Sequence, residues 1–114
     1  MNHTFRFATN QDIPLILHFI KELASYEKML DEVVATEELL NEWIFHQKKA
    51  EVIFIMENEK EVGFALFFHN FSTFLGRSGV YLEDLYVQPE YRGKGYGKAL
   101  LKKLAFIAIE RGCG

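Results

Sequence analysis

A strand-like run, a glycine loop and a helical pattern follow one another from Val80 to Gly114, and that succession restricts the fold more than any other stretch. Val80 to Val87 alternates apolar and polar residues, Gln88-Pro89-Glu90 makes a short connection, and Gly93, Gly95 and Gly97 fall at every second position before helical spacing begins. Glycine admits backbone angles closed to other residues and lets a ligand approach the main chain. The first turn of a helix carries unpaired N–H groups and a partial positive charge. The three elements together predict an anion site suited to a pyrophosphate.

Spacing narrows the ligand. A nucleotide P-loop requires G-x-x-x-x-G-K followed by Ser or Thr, whereas Gly97-Lys98 precedes Ala99 and Arg92 stands where the first glycine belongs. The dinucleotide fingerprint G-x-G-x-x-G fails because Lys98 takes its third glycine position. What remains is R-x-x-G-x-G from Arg92 to Gly97, directly after Leu82-Glu83-Asp84-Leu85-Tyr86-Val87-x-Pro89. This resembles the acetyl-CoA loop of the GNAT superfamily of N-acetyltransferases. Ile20 to Glu27, Val62 to Phe68, Leu75-Gly76 and Tyr81 to Asp84 are similar to its diamine (spermidine/spermine) N-acetyltransferase branch.

The resemblance implies an α+β GNAT (acyl-CoA N-acyltransferase) fold, a mixed, mostly antiparallel sheet flanked by helices, with acetyl-CoA as the acetyl donor. It places the acetyl and pantetheine part of the donor on main-chain groups of Leu85, Tyr86 and Val87. The pyrophosphate falls on N–H groups of Gly93, Lys94, Gly95, Tyr96, Gly97 and Lys98, with Arg92 adding charge. Tyr26 and Glu27 fall against the amine substrate. Members of the family continue past the position of Gly114, and a tyrosine in that further segment protonates the leaving thiolate. Residues 1–114 are therefore expected to be one N-acetyltransferase domain truncated after the cofactor-binding helix, without its C-terminal strands and helix. Tyr86, Tyr91 and Tyr96 are the substitutes that the chain offers for that acid.

Composition agrees with one domain, since single domains typically take ~100–150 residues and this chain has 114, with 11 Phe and 5 Tyr to fill a core. Met1 to Val87 carries seven Lys/Arg against fourteen Asp/Glu, and Gln88 to Gly114 carries six against two. An acidic body with a basic loop and helix suits an anionic cofactor and a cationic substrate. A formal charge of −3 argues against nucleic acid as a partner. Cys113 is a single cysteine, and His3, His18, His46 and His69 form no ligand pattern, so neither a disulfide nor a metal site is implied. Met1-Asn2-His3-Thr4 shows no signal-peptide pattern and no apolar run approaches the ~18 residues of a membrane span. A cytoplasmic protein, working as a homodimer that covers the exposed sheet edge, is the expectation.

Along the chain, Thr4 to Ala8 reads as a strand and Thr9-x-x-Asp12 as a capping box. The helical spacing that follows runs from Ile13 to about Tyr26–Met29. Thr36 opens a second helix of about three turns whose stripe is Leu39, Leu40, Trp43 and Ile44. Glu51 to Glu57 is a strand buried on both faces, paired antiparallel with Glu61 to Asn70. Phe71 to Gly79 reads as a loop whose Phe71 and Phe74 cover the sheet or, as the lesser alternative, line a pocket. The last helix, Gly97 to Arg111, points Leu100, Leu101, Leu104, Ala105 and Ala108 at the sheet and Lys98, Lys102 and Lys103 at water.

An alkylamine of pKa ~10.4 must lose a proton before it attacks a thioester. Glu83, which alternates with Leu85 and Val87, is the predicted base because apolar neighbours raise a carboxyl pKa; it also falls among the substrate-binding residues. Asp84 points to the other side and reads as structural. The chain is thus read as an N-acetyltransferase for a small polyamine, diamine or lysine-like amine. A non-catalytic acetyl-CoA-binding module and an inactive fragment remain the alternatives.

Overall fold

The computed structural model describes residues 3–113; Met1, Asn2 and Gly114 lie outside them. Strands β1 (His3–Phe7), β2 (Glu51–Glu57), β3 (Lys60–Ser72) and β4 (Arg77–Val87) form one sheet in the order β1-β2-β3-β4. All three pairings are antiparallel. Helix α1 (Ile13–Tyr26) and helix α2 (Glu37–Leu40), which continues as a π-helical segment over Asn41–His46, cover one face. Helix α3 (Tyr96–Glu110) covers the other.

Alternation along β2 divides the core. Val52 and Phe54 face α1 and α2, while Ile53 and Ile55 face α3, and all four are buried. The strand is therefore packed on both sides, as its nearly continuous apolar run requires. Phe19 of α1 stacks on Phe64 at 5.7 Å between ring centroids and meets Phe54 edge-on at 6.1 Å. Burying each such ring contributes ~1.5–3 kcal/mol.

Helix α1 starts where the capping box puts it. The Thr9 N–H donates to Asp12 Oδ2 at 2.7 Å, closing a 3-10 turn over Asn10–Asp12 that leads into the helix. Asp12 also receives both ends of the Arg6 guanidinium at 2.8 Å each, and Arg6 reaches Glu61 at 3.0 Å. One arginine thus ties β1, the start of α1 and β3.

Four expectations are corrected. β3 and β4 extend through most of the supposed loop, with Phe71 opposite Ser78 and Ser72 opposite Arg77, because backbone pairing needs no buried side chain. Only Thr73 to Gly76 turn, helped by the left-handed Gly76 (φ +67°). Phe71 and Phe74 do not cover the sheet; they are 66% and 99% exposed at the tip of that hairpin. The second helix turns into π geometry, which leaves only Leu40 and Ile44 buried and Leu39 and Trp43 about half exposed. On α3 the inward face is Tyr96, Leu100, Leu104 and Ile107, while Leu101 and Ala105 face outward.

β3 approaches β4 so closely at Gly63 that an added Cβ would lie 2.6 Å from the Tyr86 carbonyl oxygen. Gly63→Ala is expected to destabilise the protein by ~1–3 kcal/mol. An unchanged urea midpoint would show that the strands yield without cost. The Arg6 hydrogen bonds, opposed by burial and aided by the Thr9 N–H, lower the Asp12 carboxyl from 3.8 to about 2. Its stabilisation is therefore present above the unfolded value and is lost as pH falls through about 2. Asp12→Asn is expected to cost about 1–2 kcal/mol at neutral pH and nothing below both values. A variant that remains equally destabilised at the lowest pH would contradict this origin.

Candidate active site

β4 ends at Val87, and the Gln88 N–H still bonds the Val62 carbonyl at 2.9 Å, so the chain leaves the sheet from a fixed point. A 3-10 turn at Pro89–Tyr91 leads to Arg92, then to Gly93 (φ +84°) and Gly95 (φ +81°), both left-handed. Side chains rarely adopt these angles, which is why glycine stands there. Gly95 caps α3, whose first backbone bond is Ala99 N–H to Gly95 O at 2.9 Å. Among the described residues, the six N–H groups from Gly93 to Lys98 have no acceptor.

Glu57, at the end of β2, holds this loop. Its Oε1 accepts from Lys94 Nζ at 2.8 Å and from the Tyr96 hydroxyl at 2.5 Å. The Tyr96 ring is buried at 2% exposure, and the hydrogen bond to Glu57 pushes its phenol up to about 12. The same two donors lower the Glu57 carboxyl.

Beside the loop opens a cleft of about 360 Å³. Leu85, Tyr86 and Val87 line it from β4, and Arg92, Gly93, Gly95, Tyr96 and Gly97 line it from the loop. Leu23 and Tyr26 close it from the C-terminal end of α1. Nine of the sequence-predicted residues therefore meet in one place. Lys94 and Lys98 lie outside its walls: Lys94 is held by Glu57, and Lys98 faces a second cavity on the far side of Gly95. Arg92 does not extend along the loop. Its Nε donates to the Val87 carbonyl at 2.9 Å, and its guanidinium stacks 4.4 Å from the Tyr26 ring centroid and 5.5 Å from that of Tyr86.

Glu83 and Asp84 sit beyond the cleft on β4. Leu66 pairs with Asp84 and Phe67 with Leu82, so Glu83 is an extra residue in a β-bulge. It is exposed, not enclosed by apolar neighbours as the alternation implied. Asp84 is the half-buried neighbour, and its carboxyl is raised by burial and then by the charges of Glu83 and Glu27. Glu27, exposed just after α1, shares that neighbourhood without lining the cleft. Of the tyrosines weighed as proton donors, Tyr96 is bonded to Glu57 and Tyr91 lies 3.5 Å from Lys60 Nζ. Tyr86 is raised by burial and by Glu22.

The profile of the acetyltransferase (GNAT) family matches residues 17–114. The chain belongs to that family. It is 40% identical over 117 residues to the thialysine N-epsilon-acetyltransferase of Bos taurus, covering 95% of this chain and 68% of that protein. It is 35% identical over 116 residues to spermidine/spermine N(1)-acetyltransferase-like protein 1 of Homo sapiens, covering 95% of this chain and 16% of that protein. A solved "predicted acetyltransferase with acetyl-CoA" from Clostridium acetobutylicum shares the fold at a TM-score of 0.81 and 20% identity, covering 99% of this chain and 77% of that one. The α+β GNAT fold and the kinship with the diamine branch are thereby borne out, and family membership makes the chain an N-acetyltransferase by descent. Among the described residues no helix is long and apolar enough to cross a membrane.

Sequence reasoning missed two features around the cleft. Glu57 reads as one of many acids, and nothing local ties it to a lysine 37 positions later. The bulge at Glu83 has no glycine to announce it. Glu57→Gln removes the charged acceptor, so the Tyr96 phenol is expected to titrate well below 12, toward the ordinary ~10. Ultraviolet titration with Tyr96→Phe as reference isolates that phenol. An unshifted step would show that burial, not Glu57, holds it.

Proposed function

We propose that the protein transfers an acetyl group from acetyl-CoA to a primary amine of a small polyamine, diamine or lysine-like substrate. The observation that carries this reading is the continuity of the cleft with six unpaired N–H donors: one end suits a pyrophosphate, and the other suits the thioester beside β4. Main-chain groups of Leu85, Tyr86 and Val87 align the pantetheine and polarise the thioester carbonyl. Gly93 to Lys98 take the pyrophosphate through their N–H groups. Arg92 adds positive charge beside the loop and orders the Tyr26 ring through stacking.

The acceptor enters from the acidic side. Tyr26 on the cleft wall, with Glu27 and Glu83 nearby, attracts a cationic amine. Glu83 removes the ammonium proton, through a water where the substrate stands off the bulge. The freed amine attacks the thioester carbonyl, and the resulting tetrahedral adduct expels the thiolate, which takes up the proton that the new amide nitrogen gives up. A second assignment, Asp84 as the base, is favoured by its half-buried and raised carboxyl. The relatives' names support the two substrate classes, thialysine and spermidine/spermine.

The test is thiol release from acetyl-CoA with spermidine or thialysine as acceptor. Amine-dependent release supports transfer. Binding of acetyl-CoA without release from either amine would favour the non-catalytic binding module. Glu83→Gln is expected to lower kcat by ~10²–10⁴-fold with little change in the KM for acetyl-CoA. If Asp84→Asn produces that loss and Glu83→Gln does not, the base is Asp84.

A further inference from the structure

On the far side of Gly95 from the cleft lies a cavity of about 500 Å³ between α3 and β1. Lys98, Lys102 and Lys103 line it together with Phe5 and Phe106, and no carboxylate does. Lys98 and Lys102 stand four residues apart on one helix face, about 6 Å along the axis at 1.5 Å per residue. Lys103 Nζ rests 5.8 Å from the Phe5 ring centroid and 5.5 Å from that of Phe106. Among the described residues none of these three lysines has a hydrogen-bond or ion-pair partner, whereas Lys94 on the same loop is engaged by Glu57.

We propose that Lys98, Lys102 and Lys103 form the subsite for the phosphomonoester on the ribose of a coenzyme A thioester, the 3′-phosphate that lies beyond its pyrophosphate. The proposal rests on the donor reading above. Gly95 borders both cavities, so the lysine cavity lies within reach of the nucleoside end of a molecule whose pyrophosphate lies on the loop N–H groups. A phosphomonoester carries close to two negative charges at neutral pH. Three unpaired ammonium groups, with no carboxylate in the wall, match that charge. The acidic balance of Met1 to Val87 disfavours a nucleic acid as the occupant of the same lysines. Lys98 changes role in this assignment: its backbone N–H serves the pyrophosphate and its side chain serves the outer phosphate.

Titration calorimetry of the full chain with coenzyme A and with 3′-dephospho-coenzyme A tests this directly. The wild-type chain is expected to bind coenzyme A about tenfold more tightly, a difference that shrinks with added salt. In Lys102→Gln/Lys103→Gln the ratio is expected to fall toward one while the affinity for 3′-dephospho-coenzyme A stays unchanged. Circular dichroism confirms that the variant folds. Equal wild-type affinities would overturn the subsite and leave the donor reading standing. A preference that survives Lys98→Gln/Lys102→Gln/Lys103→Gln would place the phosphate elsewhere. Failure of the wild-type chain to bind either compound would overturn the donor reading and the subsite with it.

Discussion

The bond pair from Glu57 to Lys94 and Tyr96 is the contact on which the rest of the site depends. A loop with three glycines in five positions loses much conformational freedom when fixed. It cannot repay that loss with its own backbone bonds, because an anion site exists only while those N–H groups stay unpaired. The restraint has to come from side chains: Arg92 holds the start of the loop to the Val87 carbonyl, and the two that hold its middle, Lys94 and Tyr96, both end on one carboxylate. Glu57 is in turn placed by β2, the strand most completely enclosed, between Phe19 on one face and Leu100 on the other. The double-sided core thus positions a loop that contributes little to the core itself.

Much of this was legible in the sequence. The span of β2, the start of α1 at its capping box and the strand-loop-helix unit follow from periodicity, a cap and glycine spacing, all of which act between near neighbours. The length of the β3–β4 hairpin was not legible, since Asn70 to Ser72 and Arg77 to Gly79 pair through their backbones while their side chains stay largely in solvent. Trp43 looked like core by helical spacing. The π segment changes the angular step and turns its ring half outward. Of the site residues, those on β4 and the loop were readable as a motif, whereas Glu57 was not, because its partners are reached only through the fold.

The charge division in the sequence becomes a spatial one. Lysines gather on α3 beside the loop, and Glu27, Glu83 and Asp84 gather where the end of α1 approaches β4. For the proposed transfer from an anionic donor to a cationic acceptor, separated fields steer each substrate to its own side. Arg92 stands on the boundary. Its bond to the Val87 carbonyl and its stacking on Tyr26 and Tyr86 set a cation between the two regions without giving it to either.

The bulge on β4 gives the two adjacent carboxylates unequal surroundings. In a regular strand Glu83 would share the enclosed face of Leu85 and Val87, and its charge would be costly there. One extra residue releases Glu83 from pairing and exposes it, while Asp84 keeps its place opposite Leu66. Asp84 then bears the burial, and its neighbour's charge raises it further. Burial and the like charges beside it both disfavour the ionised form of Asp84. The strand therefore presents one exposed carboxylate that can meet a hydrated ammonium and one that holds a proton more readily.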